Sequence, residues 1–314
     1  MILKVAILGT GALGCYFAAH LHPVSELHLF GHWEDQKAAI KKEGLRYISS
    51  EGKEKRIPIR VSELQEFPHY FDLVLVLVKS FQTRQAAEEA VFILDQAGEN
   101  SRVLSLQNGL GNAEILEALL GKACVLSGST NQAAQVPEPG LVENTGEGLT
   151  LLPEQTPQAI LDLFRQAGIP LSIEKDMSRI LWSKLAINAA INPLTALLRV
   201  NNGELNSSPL TQSLMKRLAQ EVKAVAAALK IPLIYKDPGE EAIYVAEKTA
   251  RNRSSMLRDI ELGRQTEIAA ICGSVIETGE KLGIKTPLNR SIYRMVKAAE
   301  GGMRYSLQDL AKLV

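Results

Sequence analysis

Residues 3–21 read LKVAILGTGALGCYFAAHL. A short apolar run from Leu3 to Leu8 meets a turn with glycines at 9, 11 and 14, and a helical pattern follows to Leu21. In a strand–turn–helix unit each glycine has a task. Gly9 permits the tight turn, Gly11 lets a pyrophosphate approach the backbone, and Gly14 lets the helix pack close to the strand. With Thr10, Ala12 and Leu13 between them, they open a helix whose free N–H groups and partial positive charge suit a phosphate. A glycine turn without a ligand is the plain alternative. A signal peptide is a second one, but three ordered glycines interrupt the apolar stretch, so a folded strand accounts for it better.

The pattern outward from this turn is α/β. Glu26–Phe30 is a second strand candidate, and Leu73–Val78 (LVLVLV) reads as a parallel strand buried on both faces. Arg102–Leu106 and Cys124–Ser129 continue the series, with helical segments at 82–97 and 112–120. Residues 45–61 suggest a hairpin turning at Glu51 and Gly52, and residues 131–153 suggest further short strands. Strands alternating with helices predict a Rossmann-type, doubly wound parallel sheet. From about Asp176 strand-like runs give way to helical periodicities at 177–191, 209–230, 239–251, 264–282 and 287–299. This predicts a dinucleotide-binding domain over 1–174 and an all-helical substrate domain over 175–314.

The chain has 314 residues, with 35 basic and 35 acidic side chains. The neutral total excludes a broad basic face for nucleic acid. It hides a split: residues 1–174 carry 14 basic and 21 acidic groups, a net −7, and residues 175–314 carry 21 and 14, a net +7. All five histidines (His20, His22, His28, His32 and His69) lie in the first 69 residues, so a histidine-based site in the second half is excluded by inventory. Cys15, Cys124 and Cys272 are far apart, which offers no disulfide framework or zinc spacing and fits a reducing compartment, the cytoplasm. No metal site is expected. No run of 18 apolar residues exists, so no membrane span is expected. A helical domain with apolar faces is compatible with a homodimer.

The stretch 180–195, ILWSKLAINAAINPLT, carries the chemistry. It is an apolar helix, yet Lys184, Asn188 and Asn192 recur at i, i+4 and i+8 and share one face. Pro193 is expected to end or kink the helix. Buried amides and a buried amine are costly unless paired or set on a site; an interhelical hydrogen-bond ladder is the competing explanation. Reducing a carbonyl needs a proton donor as the alkoxide forms. With no histidine in this half, a lysine whose pKa is lowered in an apolar pocket is the candidate, and Lys184 is best placed. Lys79 follows the strand 73–78, and Asn108 follows the strand 102–106, both at carboxyl ends where such sheets bind ligands. Ser254 or Ser255 could cap a helix. Glu267 is a charge on an apolar stretch, with an ion pair to Arg264 as the plain explanation. At the end of the second strand no carboxylate stands at 30–32, which permits NADPH; His32 and Lys37 are candidates for its 2′-phosphate.

Together these residues resemble the ketopantoate reductase family, from GTGALG at 9–14 through VKSFQT at 78–83, LQNGLGN at 106–112, KLAINAAINPLTAL at 184–197, SSMLRDI at 254–260 and GRQTEI at 263–268 to GIKTP at 283–287. The resemblance implies reduction of 2-dehydropantoate, a 2-keto acid, to pantoate with NADPH (NADP+ on the oxidised side). It implies that Lys184 is the general acid and Glu267 the active-site carboxylate. Asn108, Asn188, Asn192 and Ser255 would hold substrate, with Asn108 also near the nicotinamide. Lys79 would lie between cofactor and substrate, and the 9–14 turn would bind phosphate. The family usually has arginine where His32 stands, often an acid at the position of Ala269, and often asparagine at that of Cys272. These departures leave another 2-keto acid or opine-type reductase as the alternative, and a nucleotide-binding redox sensor without turnover as a lesser one.

Overall fold

In the computed structural model, which describes residues 2–313, the opening stretch forms strand β1 (Lys4–Leu8) and helix α1 (Ala12–Leu21). The first unit continues with β2 (Glu26–Phe30), α2 (Glu34–Glu43), β3 (Leu45–Ile48), β4 (Glu54–Ile57), β5 (Arg60–Val61), β6 (Leu73–Val76), α3 (Thr83–Ile93), β7 (Arg102–Ser105), α4 (Asn112–Leu120) and β8 (Val125–Ser127). Its main sheet is parallel, in the order β5-β2-β1-β6-β7-β8. That is the dinucleotide-binding order, with the strand order reversing between β1 and β6.

Side-chain alternation makes the sheet two-faced. Val5, Ile7, Leu27, Leu29, Leu73 and Leu75 pack with α1 and α5 (Gln158–Gln166). Ala6, Leu8, Phe30, Val74, Val76 and Val103 pack on the opposite side with α3 and with Leu116 of α4. Burial on both faces is why these strands read as continuous apolar runs. The hairpin expected at 45–61 forms between β3 and β4, with Gly52 at φ +78°. It joins a smaller sheet with β10 (Ala133–Gln135) and β11 (Leu141–Gly146), whereas β5 belongs to the main sheet. A third sheet pairs β9 (Ser129–Thr130), β12 (Thr150–Pro153) and β13 (Leu171–Glu174).

The second unit is helical: α6 (Met177–Leu198), α7 (Pro209–Ala228), α8 (Pro238–Lys248), α9 (Ser255–Glu261), α10 (Ser274–Leu282), α11 (Pro287–Glu300) and α12 (Leu307–Ala311). Its core gathers Leu185, Ala189, Leu194, Leu218, Val222, Ile271 and Ile292. The break between units falls at Met177/Ser178, and residues 108–111 cluster with the helical unit although the chain around them belongs to the first.

Several details differ from the sequence reading. Strand pairing in β6 stops at Val76, two residues early, although Leu77 N–H still donates to Leu8 O at 2.9 Å. Helices α2 and α5 lie outside the expected elements; α2 is strongly polar, which hides its period. Pro193 does not end its helix; α6 runs five residues further. Proline removes the N–H that would reach the Ala189 carbonyl. Thr195 Oγ1 lies 3.1 Å from Ile191 O and 2.9 Å from Asn192 O, so its hydroxyl offers a local donor just past the break. The expected helix 264–282 is also not uniform: Ala269–Gly273 is a π-helical turn leading into α10. Such turns insert an extra residue and often mark functional sites.

Candidate active site

At Gly9 and Gly14 the glycine turn leaves no room for other side chains. Gly9 has φ +126°, and its N–H donates to Phe30 O at 2.8 Å. A Cβ on Gly14 would sit 1.8 Å from the Gly9 carbonyl oxygen, so only glycine allows α1 to start there. At Gly11 the same construction meets nothing within 4 Å. The space a side chain would fill is open beside the N-terminus of α1, which carries no acidic residue in its first turn. This is the cradle a pyrophosphate requires. Thr10 is buried, and Ala12 and Leu13 begin α1.

The ends of β6 and β7 are joined by a buried polar network. Gln107 Nε2 donates to Val78 O at 3.0 Å and to Thr83 Oγ1 at 2.8 Å. Ser105 Oγ donates to Gln107 Oε1 at 3.0 Å, and Thr83 Oγ1 lies 2.8 Å from Asn112 Oδ1. The backbone on either side of Lys79 is thereby fixed, and so is the strand end from which Asn108 departs. The sequence reading did not single out Gln107 or Thr83. Thr83 stands between Gln82 and Arg84 and Gln107 beside Asn108, so nothing local marks either as buried.

On α6, residues 182–197 are buried except Lys184, Asn188 and Asn192, which keep partial access. The i, i+4, i+8 spacing thus coincides with the one accessible strip of that stretch. Loss of water lowers the Lys184 ammonium pKa from its ordinary 10.5 to about 8, while the Glu267 carboxylate acts in the opposite direction. Glu267 is 6% exposed, two residues before the π turn, and its carbonyl accepts from Ala270 N–H at 3.0 Å and Ile271 N–H at 3.1 Å.

The 108–111 loop reaches this same segment. Leu110 N–H donates to Ala270 O at 2.9 Å. Gly109 adopts φ +81°, and a Cβ there would lie 2.5 Å from the Ala270 oxygen. Asn108, Lys184, Asn188, Asn192, Glu267 and Ser255 therefore all belong to the second unit, whereas the glycine turn, His32 and Lys79 belong to the first. Ser254 is the N-cap of α9: its hydroxyl accepts from Leu257 N–H at 3.0 Å and lies 2.7 Å from Thr195 Oγ1. That link ties α9 to α6 and leaves Ser255 exposed as the first helical residue. Ala269 is exposed and Cys272 fully buried.

His32 is exposed, just beyond β2, with its Nε2 2.6 Å from Glu89 Oε1 of α3. Lys37 Nζ lies 3.1 Å from Glu34 and 3.5 Å from Glu63. Both candidates for holding a 2′-phosphate are thus engaged by carboxylates.

A dinucleotide-type sheet with an open glycine cradle, and a helical unit bearing a lysine of lowered pKa on which a buried carboxylate acts, define a nicotinamide-dependent oxidoreductase. The chain belongs to the ketopantoate reductase family: residues 5–156 match the model described as Ketopantoate reductase PanE/ApbA, and residues 176–300 its C-terminal counterpart. It is 33% identical over 308 residues to a 2-dehydropantoate 2-reductase of Archaeoglobus fulgidus, covering 96% of this chain and 99% of that one. With the enzyme of the same name from Aquifex aeolicus it shares 32% over 315 residues, covering 96% and 98%. Among solved structures, a PanE/ApbA family ketopantoate reductase from Ralstonia eutropha JMP134 superposes with TM-score 0.87 at 30% identity, over 96% and 99% of the two chains. D-mandelate dehydrogenase, solved with NADH and anilino(oxo)acetate, superposes with TM-score 0.87 at 26% identity and the same coverage.

Proposed function

We propose that this chain reduces 2-dehydropantoate to pantoate in the cytoplasm, a step toward pantothenate (vitamin B5), and that Lys184 donates the proton. A reduced nicotinamide dinucleotide supplies the hydride. The 9–14 turn holds its pyrophosphate through backbone N–H groups, and Lys79 stands at the adjoining strand end. Asn188, Asn192, Asn108 and Ser255 hold the keto acid. Lys184 delivers its Nζ proton to the ketone oxygen as negative charge develops there. Glu267 keeps Lys184 charged against the pull of burial, so that the donor is protonated at neutral pH and still acidic enough to give the proton up.

The observation that carries this reading is Lys184 itself, a partly accessible amine whose pKa burial lowers and the Glu267 carboxylate raises, on a helix otherwise buried among apolar side chains. The three scattered cysteines, all free thiols, support the reducing compartment. For the cofactor, the lack of a carboxylate at residues 30–32 supports NADPH at the level of sequence. The carboxylates gathered around His32 and Lys37 support the unphosphorylated form. The test is oxidation of reduced nucleotide with 2-dehydropantoate against a panel of other 2-keto acids. A clear preference for 2-dehydropantoate is expected, and a preference for another acid contradicts the assignment.

A second reading, a reductase of a different 2-keto acid, is favoured by Ala269 and Cys272, which stand where the family often has an acid and an asparagine. The likeness to D-mandelate dehydrogenase supports including aromatic keto acids in the panel.

A further inference from the structure

The place that reads the adenosine ribose in this fold is the end of the second strand beside the glycine turn. Here Phe30 is in register with Leu8, its carbonyl accepts from Gly9 N–H at 2.8 Å, and a Cβ on Gly31 would lie 2.7 Å from the Thr10 side chain. His32 therefore stands immediately beyond the turn. In the sequence this place lacks the usual acid. In the structure an acid arrives from elsewhere: Glu89, on the second turn of α3, whose side chain is 14% exposed and whose Oε1 lies 2.6 Å from His32 Nε2. Gln85 Nε2 donates to the same oxygen at 3.2 Å.

We infer that Glu89 takes the part of the missing strand-end carboxylate and makes this chain prefer NADH to NADPH. A 2′-phosphate brings about two negative charges at neutral pH and needs cations free to meet it, arginine best of all. His32 Nε2 is already occupied, 2.6 Å from Glu89 Oε1 and 2.8 Å from Gln85 Nε2. Lys37 lies within 3.5 Å of Glu34 and Glu63, and Lys41 lies 3.0 Å from Glu63. Glu34 and Asp35 open α2 directly after His32 and Trp33. A phosphate recruiting His32 would set a half-buried carboxylate against a dianion, with two more acids nearby. A ribose diol meets no such conflict, because its hydroxyls donate to a carboxylate and accept from an imidazole or amide N–H.

The inference rests on the nucleotide-binding part of the proposed function and not on the identity of the keto acid. It is therefore tested by binding alone. The intact protein is titrated with NADH and with NADPH, and the two dissociation constants are compared by calorimetry. NADH is expected to bind about tenfold or more tightly, the scale of one uncompensated charge beside a phosphate. Glu89→Gln is expected to lower the NADPH:NADH ratio of dissociation constants at least about fivefold, and adding His32→Arg to invert it. Tighter binding of NADPH by the native chain, or a ratio unmoved by Glu89→Gln, overturns the inference while leaving the nucleotide site standing. Binding of neither nucleotide overturns the site and the preference together.

Discussion

At the scale of single residues the proposed chemistry rests on Lys184, and its environment fixes two pH dependences of definite sign. As a proton donor it must be charged, so kcat for keto acid reduction is expected to fall as pH rises through about 8. In Lys184→Ala that limb is expected to vanish, which a pH–rate profile of the two proteins checks. Stability runs the other way. The unfolded lysine keeps its proton up to its ordinary value of 10.5, while the folded one loses it near 8, so stability rises with pH across that window. Below the window the folded state bears the whole cost of the buried charge. Lys184→Met is expected to flatten the slope between pH 8 and 10.5 in urea melts; an unchanged slope contradicts the desolvated amine. The lysine was legible in the sequence because a charge on an apolar helix is conspicuous. Glu89 was not, since nothing local to the sequence brings α3 beside His32.

The elements show what periodicity can and cannot reveal. The spacing of Lys184, Asn188 and Asn192 identified a face of α6, and that face is the accessible one. Pro193 does not stop α6, because the surrounding core sustains a helix that local preference would end. The π turn at Ala269–Gly273 was equally hidden, as its single extra residue leaves an ordinary helical pattern in the sequence. That turn is also where the 108–111 loop is anchored, and Gly109 is the contact most sensitive to change. Gly109→Ala combines a positive φ with a clash against the Ala270 carbonyl, and is expected to cost about 1–3 kcal/mol in a denaturant titration. Because the loop carries Asn108, KM for the keto acid should rise as well. Loss of stability with KM unchanged would separate Asn108 from substrate binding.

For the whole molecule, the division into a parallel-sheet unit and a helical unit was readable because the hydrophobic period changes once, near residue 176. The assignment of residues 108–111 to the helical unit was not readable, since it depends on long-range contacts: the Leu110–Ala270 hydrogen bond, the close approach of Gly109 to Ala270 and the packing of Leu110 on the helical core. The opposite net charges of the two halves, −7 and +7, place the cationic excess in the half that carries Lys184, Asn188, Asn192 and Ser255. Attraction of an anionic keto acid by that excess predicts that kcat/KM falls as salt is raised from low ionic strength. Nucleotide binding should also be felt by the fold: at a hundredfold excess over Kd, NADH is expected to add about 2.7 kcal/mol of stability, visible as a higher Tm. An unshifted Tm under those conditions contradicts a preformed nucleotide site. The central claim, that this chain reduces 2-dehydropantoate with Lys184 as proton donor, is tested most directly by the single-turnover rate of pantoate formation in the native chain and in Lys184→Ala, both saturated with reduced nucleotide. The account predicts rapid formation in the native chain and a loss of about 10²-fold or more in the variant; a variant as fast as the native chain, or a native chain that forms no pantoate, would contradict it.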